Sequence, residues 1–202
     1  MYDVEPLGSE IEPGSNVLVT GPPLSGKREL ALDVLAEGTR NGEGAIMVTT
    51  KDSADRLLKQ FEKRVSYEGR PVAVVDTVTR QQGVSDVRES DRIKYTSSPV
   101  DMTGIGIKLS EFLEAFYKDR GIKRNRVMVH SLSTLLMYSD LQTVFRFLHV
   151  FTGRIQSVEG LGLYCIDSTA HDDQTMNTLK QLFDGIIETQ EDGEPTVRLA
   201  NA

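Results

Sequence analysis

The 202-residue chain contains one cysteine, no tryptophan and few aromatic residues (6%). Its single thiol, Cys165 in the apolar run LGLYCIDS, can close no internal disulfide and can assemble no thiolate metal cluster. It reads as a small buried packing residue. Long hydrophobic runs are missing as well: no window approaches the roughly 18 consecutive apolar residues of a membrane-spanning helix. The start MYDVEPLGSE also lacks the basic and apolar regions of a secretory signal, so a cytoplasmic protein without membrane insertion is expected. Nor is there a basic excess. Against 30 Asp and Glu stand 23 Lys and Arg, a formal charge of −7, which disfavours a broad nonspecific DNA-binding face but leaves room for a local basic patch.

What is present is 39% hydrophobic residues, over a length that fits a single α/β domain covering 1–202. Hydrophobic period and punctuation predict alternating strands and helices. Residues 16–20 (NVLVT) form a short β-branched run leading into GPPLSGK, and helical spacing follows from Lys27 to Gly38. Strand 45–50, a helix over 54–65 behind Ser53 as N-cap, and strand 72–77 come next. Residues 78–107 show no clear period and read as a long loop or insertion, which in compact domains is usually functional. A helix over 108–117, strand 126–131, a long helix over 140–157, strand 161–167, a helix over 172–183 and a C-terminal β-hairpin (GIIETQ, EDGEP, TVRLA) complete the pattern. Such alternation implies a mostly parallel central sheet with helices on both faces. The carboxyl ends of its strands, after Thr20, Thr49, Asp76, His130 and Asp167, are where a ligand would sit.

The sharpest local signal is Gly21-Pro22-Pro23-Leu24-Ser25-Gly26-Lys27-Arg28, with Glu29 following. It satisfies G-x-x-x-x-G-K and departs only at the last letter, where a Ser or Thr hydroxyl would ligate magnesium. Backbone N–H groups of such a loop, together with a helix N-terminus and the Lys ammonium, form an anion site. The bland alternative is a plain strand-to-helix connection, but the preceding strand and following helix supply the context that phosphate binding requires. Arg28 places a second fixed cation beside Lys27, one that can meet phosphate oxygens and stand in for part of a metal's charge.

These segments, in this order, resemble the KaiC-like branch of the RecA superfamily of P-loop ATPases over nearly the whole chain. NVLVTGPPLSGKREL, AIMVTTKDSADRLL, PVAVVDT, RVMVHSLSTLL, GLYCIDSTAH and FDGIIETQEDGEPTVRLA carry the likeness, and SSPVDMTGIGI looks like a segment of small archaeal members. The resemblance implies a RecA-like P-loop core that binds ATP or ADP with magnesium, with nucleotide at subunit interfaces in related proteins. Three positions depart from it. His130 stands where the family's fourth strand usually ends in a metal-holding Asp, Lys51-Asp52 stands where an acidic pair supplies the base, and Arg28 replaces the hydroxyl. A missing base alone typically costs 10²–10⁴-fold in rate, and magnesium becomes a doubtful cofactor for such a site.

The remaining candidates each have two readings. Asp167 and Ser168 can sense the phosphate end, or Ser168 or Thr169 can cap a helix. Asp76 is a weak metal candidate or a turn and cap residue, and His130 is a site residue or a neutral core histidine. The expected function is a nucleotide-binding regulatory or scaffold protein with weak or absent hydrolysis. Two alternatives stand beside it. One is an active ATPase completed at a subunit interface, with a homo-oligomer or heteromeric partner and Asp76, Asp167 or Glu29 as unexpected helpers. The other is an interaction module with an empty pocket and a DNA-associated variant, although in 78–107 the basic residues Arg80, Arg88, Arg92 and Lys94 alternate with Asp86, Glu89, Asp91 and Asp101. A charge-balanced loop is a poor DNA groove.

Overall fold

The computed structural model describes residues 1–84, 86–191 and 193–199. The inner strands of the sheet form where the sequence carries consecutive apolar residues. Strands β3 (Asn16–Gly21), β4 (Gly44–Thr49), β5 (Val72–Asp76), β7 (Asn125–His130) and β8 (Leu161–Asp167) are buried along nearly all of their length. Alternate side chains enter two separate cores. Val17, Val19, Met47, Val74, Met128 and Leu163 pack beneath α1 (Lys27–Arg40) and α2 (Ala54–Glu62). Leu18, Ile46, Val75, Val129 and Tyr164 pack on the other face. That second face is covered by α3 (Met102–Arg120), α4 (Leu132–Tyr138), α5 (Leu141–Ser157) and α6 (Asp173–Lys180). Burial on both faces is why these strands read as continuous hydrophobic runs rather than alternating ones.

With β6 (Ile93–Tyr95), β9 (Gly185–Glu188) and β10 (Thr196–Leu199), the eight-stranded order is β10-β9-β3-β8-β7-β4-β5-β6. All pairings are parallel except β10 against β9. The chain leaves β3 through α1 and re-enters three strand positions away at β4, and β7 and β8 later fill the gap. That reversal opens a crevice at the carboxyl edge, where Gly21 registers with Asp167 and Thr49 with His130. Among the described residues no helix is long and apolar enough to cross a membrane.

Several elements differ from the sequence expectation. The stretch 78–107 is not wholly loop: it carries β6, and α3 begins at Met102, six residues before the expected Lys108. The Asp101 carboxylate accepts from the Gly104 amide to start that helix, while Gly104 and Gly106 conceal its period. A two-stranded hairpin, β1 (Tyr2–Val4) with β2 (Ser9–Ile11), and the short α4 were not anticipated. Ser53 sits at the N-cap of α2 but its side chain makes no capping bond; Asp76 accepts from the Ala54 amide instead. Ser168 and Thr169 do not cap α6 either, since Asp172 accepts from the Thr175 amide. The hairpin forms as expected, although Asp192 of its turn and Ala200 of its second strand lie outside the described residues.

One polar group is buried at the opposite, amino edge. Arg126 is fully enclosed, donating to Glu43 (2.6 Å), Glu37 (3.2 Å), the Val34 carbonyl (2.9 Å) and the Asp3 carbonyl (2.8 Å). Its guanidinium thereby ties β7 to α1, to the turn before β4 and to the N-terminal hairpin. Removing one partner of a buried ion pair leaves uncompensated charge. Arg126→Leu should therefore lower unfolding free energy by about 3–5 kcal/mol, read from urea midpoints, and a loss below ~1 kcal/mol would contradict this role.

Candidate functional site

The crevice holds a cavity of about 530 Å³ lined by the phosphate-type loop from Pro23 to Glu29, by Thr50 and Lys51, by His130 to Thr134, and by Asp167. The loop's shape follows from two left-handed residues, Leu24 (φ 64°) and Gly26 (φ 80°). The first helical N–H groups of α1 lack partners inside the helix, and no side chain caps them. Gly21 is required by close approach. A Cβ there would sit 2.3 Å from Thr189 Oγ1 and 2.5 Å from the Thr189 carbonyl, so β9 pins the loop's start through a residue with no motif of its own. Ser25 Oγ meets the same Thr189 hydroxyl at 2.6 Å.

The charged groups are arranged in pairs. Lys27 Nζ lies 2.9 Å from Asp167 and donates to the Pro22 carbonyl and to Ser25 Oγ. Arg28 was expected to add a free cation beside Lys27. Its Nη2 instead meets Asp52 at 2.9 Å and Gln60, which turns the guanidinium toward α2 and offsets its charge. Asp52 also meets Arg56 at 3.2 Å. Of the residues considered for catalysis, Asp52 is therefore engaged by two guanidiniums, Lys51 is exposed at the cavity wall, and His130 lines the cavity. Among the described residues nothing hydrogen-bonds the His130 ring. Burial, reinforced by the Arg28 and Lys51 charges, pushes its pKa down to about 4, against weaker opposing pulls from Asp52 and Asp167. The ring is neutral at physiological pH.

Asp76 lies outside the cavity lining. Its carboxylate is almost wholly buried and accepts from the Ala54, Val78 and Thr79 amides and the Thr79 hydroxyl, so four donors fill it. The carboxylate holds α2 and the following loop in place. The Ser168 backbone N–H donates to the Gly21 carbonyl (2.9 Å), continuing the β3–β8 pairing. Cys165 is enclosed and its thiol is pushed up to about 12, so it stays protonated.

Sequence reasoning missed three features of this edge. Ser133 Oγ accepts from the Asp167 amide (2.9 Å) and meets His171 Nε2 at 2.9 Å, which fixes the end of β8. Gln81 and Gln82 reach the cavity from the segment after β5. Leu24, Met137 and Tyr138 surround its mouth at 100%, 77% and 57% exposure. Leu24 belongs to the expected loop, and Ser133 and His171 lie in the RVMVHSLSTLL and GLYCIDSTAH segments, but their contacts arise only from the fold; Gln81, Gln82, Met137 and Tyr138 lie in no motif.

Two outcomes follow. The unfolded His130 binds a proton below about 6.5 and the folded one only below about 4, so its contribution to folding is complete above pH 6.5 and is lost as pH falls toward 4. His130→Gln should flatten this limb relative to wild type in urea midpoints measured from pH 4 to 7; superimposable profiles would contradict it. Asp167 is about one-third exposed in its pair with Lys27, so Asp167→Asn should change stability by less than ~1 kcal/mol. The same change should raise inorganic phosphate affinity, read by calorimetry, because the ammonium loses its internal counterion.

A family profile described as a family of unknown function, DUF7504, matches residues 14–189. The chain is 32% identical over 127 residues to UPF0273 protein SSO1861 of Saccharolobus solfataricus, covering 60% of this chain and 42% of that protein. It is 28% identical over 98 residues to the DNA repair and recombination protein RadB of Methanosphaera stadtmanae, covering 48% and 42%. It thus spans well under half the length of either curated relative. Among solved structures, protein PH0321 of Pyrococcus horikoshii, crystallised with an unknown peptide, superposes with a TM-score of 0.70 at 13% identity, covering 95% and 94% of the two chains. KaiC-like protein PH0186 of the same organism gives 0.62 at 14%, covering 93% and 79%. The fold is the RecA-like α/β fold of these proteins, and the chain belongs to DUF7504, a family of unknown function.

Proposed function

We propose that this chain is a nucleotide-binding regulatory or scaffold protein that holds ATP or ADP by its phosphates and hydrolyses it weakly or not at all. The observation that carries the reading is the state of the charged groups at the carboxyl edge. The Lys27 ammonium lies at an uncapped helix start beside a 530 Å³ cavity, while three of the nearby carboxylates are already engaged; Glu29, in the first turn of α1, also lines the cavity and makes no ion pair among the described residues. Asp52 is held by Arg28 and Arg56, Asp167 by Lys27, and Asp76 by four donors. The phosphates would meet the loop amides and displace Asp167 from Lys27. Relatedness to RadB and to KaiC-like folds supports nucleotide as the ligand class.

Magnesium, which the fold family implies, does not fit the residues present. It prefers oxygen ligands, including one or two carboxylates, and the two positions that would supply them carry the Arg28 guanidinium and the neutral His130 ring. At the position where the family carries its base, Lys51 is cationic and Asp52 is paired twice; the unpaired carboxylate of the lining, Glu29, stands on α1 instead of at the end of β4. The loss of that base alone is about 10²–10⁴-fold.

The exposed apolar residues around the mouth favour a second reading, in which another protein surface covers Leu24, Met137 and Tyr138 and completes the site. The peptide seen with PH0321 shows that one similar fold takes a polypeptide ligand. On this reading turnover would rise with protein concentration.

Calorimetry with ATP and ADP tests the first reading. Binding should be abolished by Lys27→Ala and differ by less than about threefold with and without magnesium, under ~1 kcal/mol. Phosphate release should fall at least ~10²-fold below the median enzyme turnover of about 10 s⁻¹. No binding of either nucleotide at millimolar concentration would overturn the proposal.

A further inference from the structure

A second concavity of about 510 Å³ opens at the amino ends of β5 and β6, beside the last turns of α3 and across the sheet from the phosphate-type loop. Three arginines line it, Arg92 and Arg120 as electrostatic neighbours and Arg70 with its Nη1 on the end of α1. Arg70 directly precedes Pro71 and β5, Arg92 directly precedes β6, and Arg120 is the last residue of α3. All three are anchored by backbone carbonyls: Arg70 by those of Thr39 and Arg40, Arg92 by Val72 (2.8 Å) and Tyr67 (3.5 Å), and Arg120 by Gly69 (2.9 Å). Arg92 also stacks over the Tyr67 ring at 4.7 Å.

Among the described residues, no carboxylate forms an ion pair with any of the three. Lys94, also in the lining, is neutralised by Glu111. Asp91 and Asp119 contribute to the wall without reaching ion-pair distance. In a chain with 30 acidic residues against 23 basic ones, three neighbouring cations left without a carboxylate are conspicuous. Burial first, and then Arg120's charge, lowers the Arg92 pKa, while Tyr67 and Glu62 pull it the other way; an arriving anion would relieve the repulsion between Arg92 and Arg120.

The anchoring bonds occupy one or two nitrogens of each fork, and a guanidinium has five donors in a fixed plane. The unused N–H groups suit an anion with several oxygens better than a two-oxygen carboxylate. Phe112, Ala115 and Phe116 add an apolar wall. We propose that this concavity binds a small organic phosphate, with its phosphoryl group on Arg70, Arg92 and Arg120 and its apolar portion against the α3 wall.

The test uses the full chain carrying Lys27→Ala, so that the loop at the other edge does not contribute and the nucleotide proposal stands or falls separately. Phenyl phosphate, inorganic phosphate and benzoate are titrated by calorimetry. Phenyl phosphate is expected to bind most tightly, to weaken as salt is raised, and to lose about tenfold on Arg120→Gln. Arg120 is exposed, so this variant leaves the core intact; Arg92→Gln, checked for folding by circular dichroism, should reproduce the loss. No binding at millimolar phenyl phosphate would overturn the proposal. So would equal affinity for benzoate, equal affinity for inorganic phosphate, or an unchanged affinity in Arg120→Gln.

Discussion

The carboxyl edge depends on the register of β3 with β8. Gly21 and Asp167 are direct partners across that pairing, and α1 starts one short loop beyond Gly21. The Lys27 ammonium therefore comes within 2.9 Å of the Asp167 carboxylate. A slip of one residue would turn every side chain of β8 to the other face, and two apolar cores with opposite requirements for Leu163 and Tyr164 forbid it. The position of one ion pair is in this way enforced by dozens of buried contacts elsewhere. Thr189, brought beside Gly21 by β9, closes the arrangement from the other flank.

The substitutions around this pair are coherent as electrostatics. A metal site gathers anionic oxygens, whose mutual repulsion the ion relieves. Here the same positions gather Arg28, Lys51 and an uncharged imidazole, with Asp52 pairing Arg28 and Asp167 pairing the neighbouring Lys27. Arg28 is the instructive case. Its place in the motif suggests a cation for phosphate, but Asp52 in the turn before α2 and Gln60 on α2 meet it, so it braces α2 against α1 more than it faces the cavity. His130 is neutral chiefly because burial disfavours its charged form, and the Arg28 and Lys51 charges add to that.

Legibility in the sequence followed locality. The doubly buried strands announce themselves as apolar runs, and the phosphate-type loop is contiguous, so both were readable. The start of α3 was not, because two glycines interrupt its period and its signal is a single capping Asp101. The short β1, β2, β6 and α4 carry too few residues to show a period. At the site, the partners that determine what Lys27, Arg28 and Asp76 do are distant in sequence: Asp167, Gln60 and Ala54 become their neighbours only through the fold, although Asp76 also accepts locally from Val78 and Thr79. Arg70, Arg92 and Arg120 span fifty positions and share no motif. A residue type can be read locally, whereas its charge state and partner belong to the fold.

The two edges of the sheet are also mechanically unequal. At the amino edge, Arg126 ties α1, β7 and the N-terminal hairpin into one unit, with its charge balanced by Glu37 and Glu43. At the carboxyl edge the Lys27–Asp167 pair is one-third exposed on its acidic side, so it is screened and easily exchanged for another anion. Stability is thus concentrated away from the loop, which lets the loop retain an unsatisfied helix start and two left-handed residues without endangering the fold. A ligand arriving there would reorganise one weak ion pair rather than a core. The exposed ring of Leu24, Met137 and Tyr138 then sets how far a bound anion is shielded from water, and covering it would strengthen every charge interaction inside by lowering the local dielectric.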